Sequence, residues 1–308
     1  METQPARSKT LRIGITGSSG LVGTALREHL IAQQQEFVRL VRRQPKAELG
    51  EIFWSPESGK IDSSGLEGVD AVVHLAGENI FGRWTTTKKE KIRESRRSGT
   101  ELLSRTLSEL VKKPAVFLCV SGVHYYGDTG DRLIDESSPP EDGFLSDVCR
   151  IWEDATDAAT QAGIRTVRLR LGMVLSSRGG ALRIMRRPFQ LGLGGRLGSG
   201  RQYMSWIHIE DLIRAMEFAI RNDQVCGPVN AVSPQPVTNR EFTKTLGRVL
   251  HRPTFLCVPG FAAKMALGEM AEEVLLSGQR VAPRELEERG FDFRYPELSQ
   301  ALRRELNV

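Results

Sequence analysis

Short apolar runs alternate with amphipathic stretches along the first part of the chain, up to about residue 175. Apolar residues recur at helical spacing at Val22, Leu26 and Leu30, and again within 87–112 and 145–162. Runs typical of strands lie between these stretches, at 11–16, 37–41, 52–54, 70–76, 116–121 and 165–171. This alternation predicts an α/β fold with a parallel, doubly wound sheet.

The rhythm changes in the second part of the chain. It begins with a glycine-rich run at 189–202, followed by a strand-like run at 228–232 and a helical pattern at 239–250. The tail from 259 onward has the pattern of a helix, a loop and a second helix. We therefore predict a core domain over 11–175, to which segments around 203–233 return, and a smaller lobe that is mainly 176–308. Residues 1–10 are expected to be a disordered N-terminus.

A glycine-rich turn follows the first predicted strand. Gly17 suits a tight turn, Gly20 lets backbone approach a pyrophosphate, and Gly23 lets the following helix pack closely. The phosphates would lie at a helix N-terminus, where free N–H groups and the helix dipole favour negative charge. An ordinary glycine loop is the alternative, but the strand before it and the helix after it favour a Rossmann-like dinucleotide site. The predicted contacts are Gly17, Ser18, Ser19, Gly20, Leu21, Val22 and Gly23.

The end of the second predicted strand selects between the two nicotinamide dinucleotides. NAD sites usually carry Asp or Glu there, about 20 residues beyond the glycines, to hold the ribose 2′-hydroxyl. This chain has Arg42 and Arg43 instead. A guanidinium can make charge-assisted contacts with a 2′-phosphate. The cofactor is therefore predicted to be NADP, and a solvated basic loop is the alternative.

Composition fits a globular enzyme. The chain has 308 residues, of which 40% are hydrophobic and 26% charged, so it can bury a large core. Its 43 Lys and Arg are interspersed with 38 Asp and Glu and indicate no nucleic-acid stripe. With no long apolar run and no metal-ligand spacing among the four cysteines, we expect a cytoplasmic protein with no membrane, nucleic-acid or metal partner. The sequence does not give the oligomeric state, and a homodimer is one possibility.

Several motifs together resemble a known superfamily. They are TGSSGLVG at 16–23, HLAGENI at 74–80, YYG at 125–127, WIHIED at 206–211 and GQRVAPRELEERGFDFRYPEL at 278–298. Over nearly its whole length the chain resembles the extended short-chain dehydrogenase/reductases, most closely the atypical group called epimerase family proteins. This resemblance implies NAD(P) binding on a Rossmann core and a C-terminal part of unknown role, and it assigns no physiological reaction.

The resemblance also exposes a missing catalytic pair. Active members of the wider superfamily use a tyrosine, a lysine four residues later and an upstream serine, yet no Tyr-x-x-x-Lys occurs in this chain. Aligning Glu153 with the glutamate that usually follows the motif places Leu145 and Cys149 at the tyrosine and lysine positions. The candidate groups for proton transfer are then Ser121, His124, Tyr125, Tyr126 and Cys149.

Each of these candidates has a structural alternative. His124 titrates nearest to neutral pH but is also a plausible loop histidine. Tyr125 and Tyr126 can equally pack under the edge of the sheet. Cys149 would carry a thiolate only beside a positive group, and otherwise it is a buried inert thiol.

Further cofactor contacts follow from the geometry of a parallel sheet. Ligands bind at the carboxyl ends of the strands, where Leu75, Ala76 and Gly77 would border the adenosine ribose. Arg96 would approach the pyrophosphate and the nicotinamide ribose, unless it is a surface arginine. The residues expected to touch the nicotinamide are Gly172, Met173 and Val174. Trp206, His208 and Asp211 are expected in the loop and helix that close the cleft, where His208 is a structural hydrogen-bonding residue or, alternatively, a catalyst.

Two functions are compatible with this sequence. The first is an NADP(H)-binding oxidoreductase or epimerase-like enzyme that acts on a small polar substrate through a substrate-facing C-terminal lobe. The second is a catalytically weak NADP-binding or redox-sensing protein, which the missing tyrosine and lysine favour.

Overall fold

The computed structural model describes residues 10–308, so most of the predicted disordered N-terminus lies outside the described residues. The strands are β1 Arg12–Thr16, β2 Glu36–Val41, β3 Glu51–Ser55, β4 Lys60–Ile61, β5 Ala71–His74, β6 Val116–Gly122, β7 Leu133–Ile134, β8 Arg165–Leu171, β9 Met173–Leu175, β10 Gly195–Leu197, β11 Tyr203–Met204, β12 Trp206–His208, β13 Gly227–Ala231, β14 Val237–Thr238, β15 Leu256–Val258 and β16 Arg280–Val281. The helices are α1 Leu21–Ala32, α2 Thr86–Glu109, α3 Phe144–Asp154, α4 Asp157–Gln161, α5 Gly180–Gln190, α6 Ile209–Arg221, α7 Asn239–Val249, α8 Gly260–Leu267, α9 Arg284–Glu288 and α10 Leu298–Leu306.

An eight-stranded sheet forms the centre of the molecule, in the order β13-β8-β6-β5-β1-β2-β3-β4. Its strands are parallel except for the β3–β4 pair. Successive strands are added outward in opposite directions from the β1–β5 pair, which makes that pair the switch point of the topology. The order confirms the predicted doubly wound parallel sheet.

Apolar strands explain this architecture. Ala71–His74 is buried throughout and β6 is buried in six of its seven residues, because helices cover both faces of a parallel sheet. Helix α1 packs against α6, whereas α2 packs against α3 and α4. The main core lies between these helices and the sheet.

The second part of the chain builds a smaller cluster beside the sheet. Helices α5, α7 and α10 pack there around Trp206 and Phe242, both almost fully buried. Strand β13 leaves this region and joins the main sheet beside β8. The C-terminal segment also returns to the core, where Phe291 packs against Phe218 of α6.

One expectation from the sequence is wrong in detail. The pattern at 145–162 forms two helices, because the Thr156 hydroxyl bonds the Glu153 carbonyl at 2.6 Å and interrupts the helix. Trp206, His208 and Asp211, which are expected in the elements that close the cleft, are buried on β12 and α6. Asp211, for example, accepts the backbone N–H of Arg294 and Tyr295 and fastens the C-terminal segment to α6.

Candidate cofactor and active site

The glycine-rich turn joins β1 to α1 at the carboxyl edge of the sheet. Gly17 has φ +64°, and a Cβ there would lie 2.7 Å from the Leu75 carbonyl carbon. A Cβ on Gly23 would lie 2.3 Å from the Gly17 carbonyl oxygen, so α1 can rest on the turn only if this residue is glycine. Both positions therefore need glycine for the fold itself.

Gly20 differs from the other two glycines. A Cβ there meets one neighbour, the Gly17 carbonyl oxygen at 3.3 Å, and residues 19 and 20 are exposed. Gly20 is the N-cap of α1, no side chain caps the helix, and its first turn carries no acidic residue. The first N–H groups of α1 and its dipole are thus open to an anion. This arrangement fits a dinucleotide pyrophosphate.

A buried histidine ties the turn to the neighbouring strand. His74 Nδ1 lies 2.7 Å from Thr16 Oγ1, and its Nε2 lies 3.0 Å from Thr100 Oγ1. Thr16 Oγ1 in turn accepts the backbone N–H of Leu75 and Ala76. Burial lowers the pKa of His74 to about 3, so the ring is neutral and bridges the ends of β1 and β5 to α2.

The sequence does not predict this bridge. His74 lies in the HLAGENI motif, and nothing in its spacing indicates partners 58 and 26 residues away.

The two arginines after β2 have different surroundings. The Arg43 guanidinium forks onto Glu51, with Nη1–Oε2 at 2.7 Å and Nη2–Oε1 at 2.6 Å. Glu51 is buried and also pairs with Arg39. The pKa of its carboxyl is lowered, mainly by the hydrogen bond from Arg43. Arg42 is exposed, and its side chain makes no hydrogen bond or ion pair with any residue from 10 to 308.

Arg96 lies between the carboxyl ends of β5 and β6. Its Nη1 donates to the carbonyl oxygens of Glu78 and Ile92, each at 3.1 Å, and its Cζ lies 4.7 Å from the centre of the Trp152 ring. A Cβ on Gly77 would approach the guanidinium Cζ to 3.3 Å. Burial lowers the pKa of Arg96, and no carboxylate within the described residues forms an ion pair with it.

Two of the five proton-transfer candidates belong to a buried network. Ser121 Oγ donates to Glu153 Oε1 at 2.7 Å, and Arg170 binds both oxygens of Glu153 at 2.8 Å. Arg170 Nη1 also donates to the Tyr126 hydroxyl, which donates to Asn230 Oδ1, each at 2.8 Å.

Burial raises the pKa of Tyr126 to about 12. The Ser121 and Tyr126 hydroxyls are therefore occupied in joining β6, α3, β8 and β13.

The remaining candidates surround the end of β6. Burial raises the pKa of Cys149 to about 12, which supports the inert thiol over a thiolate. Burial, and then Arg96, lower the pKa of His124 to about 4, so its ring is neutral at pH 7. The Tyr125 ring stacks on the Arg170 guanidinium at 3.5 Å. Of the five candidates, His124 alone is both half-buried rather than fully buried and electrostatically coupled to Arg96.

The strand ends predicted to border the cofactor are partly exposed. Leu75, Ala76, Met173 and Val174 are half-buried and Gly77 is exposed, while Gly172 is buried. A Cβ on Gly172 would lie 2.7 Å from the Ser205 carbonyl oxygen, because β12 passes close by.

A groove of about 1050 Å³ borders the turn at Ser19 and Gly20. It runs between α1, α6 and the end of α10, and none of the five proton-transfer candidates lines it. Its charged groups are largely paired, as in Arg178–Glu28 and His29–Glu217. This groove thus adjoins the turn but lies away from Arg96 and His124.

Comparison with protein families gives two matches. Residues 13–231 match the NAD dependent epimerase/dehydratase family, and residues 258–305 match a domain of unknown function, DUF1731. An epimerase family protein of Mycobacterium bovis is 48% identical over 291 residues, covering 94% of this chain and 96% of the relative. The human epimerase family protein SDR39U1 is 37% identical over 297 residues, covering 95% and 99%.

Solved structures agree with these matches. The crystal structure of human SDR39U1 (isoform 2) with NADPH has a TM-score of 0.86 and 34% identity, covering 97% of this chain and 100% of the human one. A Corynebacterium glutamicum structure, described as a nucleoside-diphosphate sugar epimerase, has a TM-score of 0.81 and 38% identity. The alignment covers 97% of this chain and 58% of that one.

Proposed function

Because the chain belongs to the NAD dependent epimerase/dehydratase family, we propose that it binds NADP(H) and acts as an oxidoreductase or epimerase-like enzyme on a small polar substrate. The observation that carries the proposal is the uncapped start of α1, which leaves N–H groups and a positive dipole end open beside Gly20. The NADPH bound to human SDR39U1, a relative of the same fold, supports the choice of cofactor.

The residues present fit the 2′-phosphate and the pyrophosphate of this dinucleotide. Arg42 would hold the 2′-phosphate, because its guanidinium is exposed and unpaired among residues 10–308. The turn around Gly20 would hold the pyrophosphate. The bound cofactor would supply or accept a hydride at its nicotinamide ring, beside the carboxyl edge of the sheet where ligands of such folds bind.

Two groups near that edge can stabilise a substrate oxyanion. Arg96 holds a positive charge beside Gly77, and a positive charge there favours a developing alkoxide. The neutral ring of His124 can donate its single N–H to the same oxygen, and it does not carry the second proton of an imidazolium. The proton then comes from water, since no Tyr-x-x-x-Lys pair is present. General acid catalysis is worth roughly 10² to 10⁴ in rate, so turnover should be slow.

The test measures NADPH oxidation by the parent protein with simple carbonyl compounds and with nucleotide sugars. We expect slow oxidation with at least one carbonyl substrate, and a further loss in Arg96→Met and in His124→Ala. Cys149→Ala is the matched control, because the inert thiol lies beside the same groups. Oxidation that survives both substitutions would show that Arg96 and His124 are not the stabilising groups.

A catalytically weak NADP-binding or redox-sensing protein is the second candidate. The engagement of Ser121 and Tyr126 in a buried network favours it, because neither hydroxyl is available to move a substrate proton. Tight NADPH binding with no oxidation of any carbonyl substrate or nucleotide sugar would select this function over the first.

A further inference from the structure

The smaller lobe exposes an apolar surface outside the cofactor site. Phe255 is 90% exposed, Leu191 75%, Met265 71% and Phe261 69%. Such exposure of large apolar side chains, clustered in one region, marks an interaction surface. We call this surface the apolar ridge and define it by Leu191, Leu193, Phe255, Leu256, Phe261 and Met265.

Local structure brings the segments that carry the ridge close together. Strand β15 pairs with β10, so that Leu256 lies opposite Gly195, and Arg252 Nε donates to the Gln190 carbonyl at 2.9 Å. These contacts bring the 189–195 loop beside the start of β15. Helix α8 begins two residues after β15 ends, and its residues 261 and 265 share one face because they are four apart.

The two chain segments that carry the ridge are strongly basic. Residues 176–204 and 237–268 contain eleven Lys and Arg and a single acidic residue, Glu241, which leaves 32 basic and 37 acidic residues in the rest of the chain. Within the described residues, Arg178 and Lys264 are the two of the eleven that form ion pairs. The other nine have no carboxylate partner there, and they include Arg187, Arg196, Arg248 and Arg252, each within seven residues of a ridge residue along the chain.

We propose that the apolar ridge docks this protein on the surface of an anionic lipid membrane. Aromatic and aliphatic side chains can enter the boundary between headgroups and acyl chains, while surrounding cations are attracted to anionic headgroups. Charge complementarity selects this occupant, because the cations are unpaired and a nucleic acid would gain little from the exposed aliphatic side chains. Contact is peripheral, since among residues 10–308 no helix is long and apolar enough to cross a membrane. The inference revises the expectation of no membrane partner.

Sedimentation with vesicles tests the proposal. The full chain is mixed with vesicles of phosphatidylcholine alone or of equal parts phosphatidylcholine and phosphatidylglycerol. We expect binding to the anionic vesicles only, weakened by added salt because surface charges are screened. The double variant Phe255→Ser, Phe261→Ser should bind at least tenfold more weakly. Val111→Ser, which removes a 90% exposed apolar residue outside this lobe, should bind like the parent.

A charge-reversal pair probes the cations separately. Arg187→Glu with Arg252→Glu should lower binding to anionic vesicles at least tenfold, since each cation contributes about 1 kcal/mol near an anionic surface and about 1.4 kcal/mol is a factor of ten. Arg105→Glu, on an exposed position of α2, should have little effect. Unchanged NADPH affinity in every variant shows that the fold is intact.

Several results would overturn the proposal. They are equal binding to neutral vesicles, no binding to anionic vesicles, and full binding by the Phe255 and Phe261 double variant. Light scattering identifies the main competitor: a parent dimer that becomes monomeric in that variant, without vesicle binding, would assign the ridge to a second copy of the chain. Displacement from vesicles by duplex DNA that binds the same cations more tightly would assign it to nucleic acid.

Discussion

Removal of the Arg42 side chain should separate the affinities for NADPH and NADH. Arg42 is exposed and has no partner among the described residues, whereas Arg43 is held by Glu51 through two hydrogen bonds of 2.7 and 2.6 Å. An arginine committed to a buried carboxylate has less charge to offer a ligand. We therefore expect Arg42 to contribute most of the preference for the 2′-phosphate.

The magnitude follows from the exposure of the contact. A hydrogen bond to a charged group contributes about 1.5 to 3 kcal/mol, and an exposed arginine with a hydrated phosphate belongs near the lower end. That value corresponds to roughly tenfold in affinity. Arg42→Ala should thus weaken NADPH binding about tenfold and leave NADH binding nearly unchanged, with a smaller difference at high salt.

Calorimetric titration of both dinucleotides into parent and variant measures this effect. Arg105→Ala is the matched control, because it removes an exposed arginine from α2. Arg43→Ala should instead lower the melting temperature, since it takes a partner from buried Glu51. Equal losses of NADPH and NADH affinity in Arg42→Ala would show that this arginine supports the fold or the pyrophosphate and would refute the reasoning.

Three further predictions concern the turn, the buried ion pair and the pH dependence of stability. Gly20→Val should abolish NADPH binding with little change in melting temperature. Gly23→Val should unfold the turn, because a Cβ at position 23 would lie 2.3 Å from a carbonyl oxygen. Equal decreases in melting temperature for the two variants in a thermal scan would contradict this prediction. Glu153→Gln should cost about 3 to 5 kcal/mol in urea unfolding, since it leaves a buried guanidinium without its charge partner, and a loss below about 1 kcal/mol would show that the pair is dispensable. Burial lowers the folded-state pKa of His74 to about 3, so the unfolded chain binds the proton first, and the stability present above pH 6.5 is lost as pH falls toward 3. His74→Gln should flatten that slope, and His251→Asn, at an exposed histidine, should not.

The sheet could be predicted because its signals are local. Strands of a parallel sheet are rich in apolar residues, and β1, β2, β6 and β8 begin and end within a residue of the predicted runs. The glycines could be assigned for the same reason, since each role depends on neighbours within the turn or on the strand beside it. The break between α3 and α4 also has a local cause, the Thr156 hydroxyl. It could not be predicted, because a threonine in a helical pattern does not show whether its hydroxyl bonds the helix backbone.

The site could be predicted only in part, because its decisive contacts are distant in sequence. Ser121 meets Glu153 across 32 positions, and Tyr126 meets Asn230 across 104. Nothing in the YYG motif distinguishes a hydroxyl that faces substrate from one that is buried against Arg170. The difference depends on which strands become neighbours, and β6 lies beside β8 and not beside β7, which precedes β8 in the chain.

The local excess of basic residues likewise depends on contacts that are distant in sequence, so the composition of the whole chain does not reveal it. Over the whole chain, 43 basic and 38 acidic residues nearly cancel and indicate no polarised surface. The imbalance emerges once residues 176–204 and 237–268, which are separated in sequence by α6 and β13, are found side by side through the β10–β15 pair. The exposure of Phe255 and Phe261 could not be predicted from the sequence either, since an apolar run predicts burial in most folds. A net charge of only +5 is therefore compatible with an uneven distribution, in which the basic segments 176–204 and 237–268 lie beside a remainder of the chain that has more acidic than basic residues.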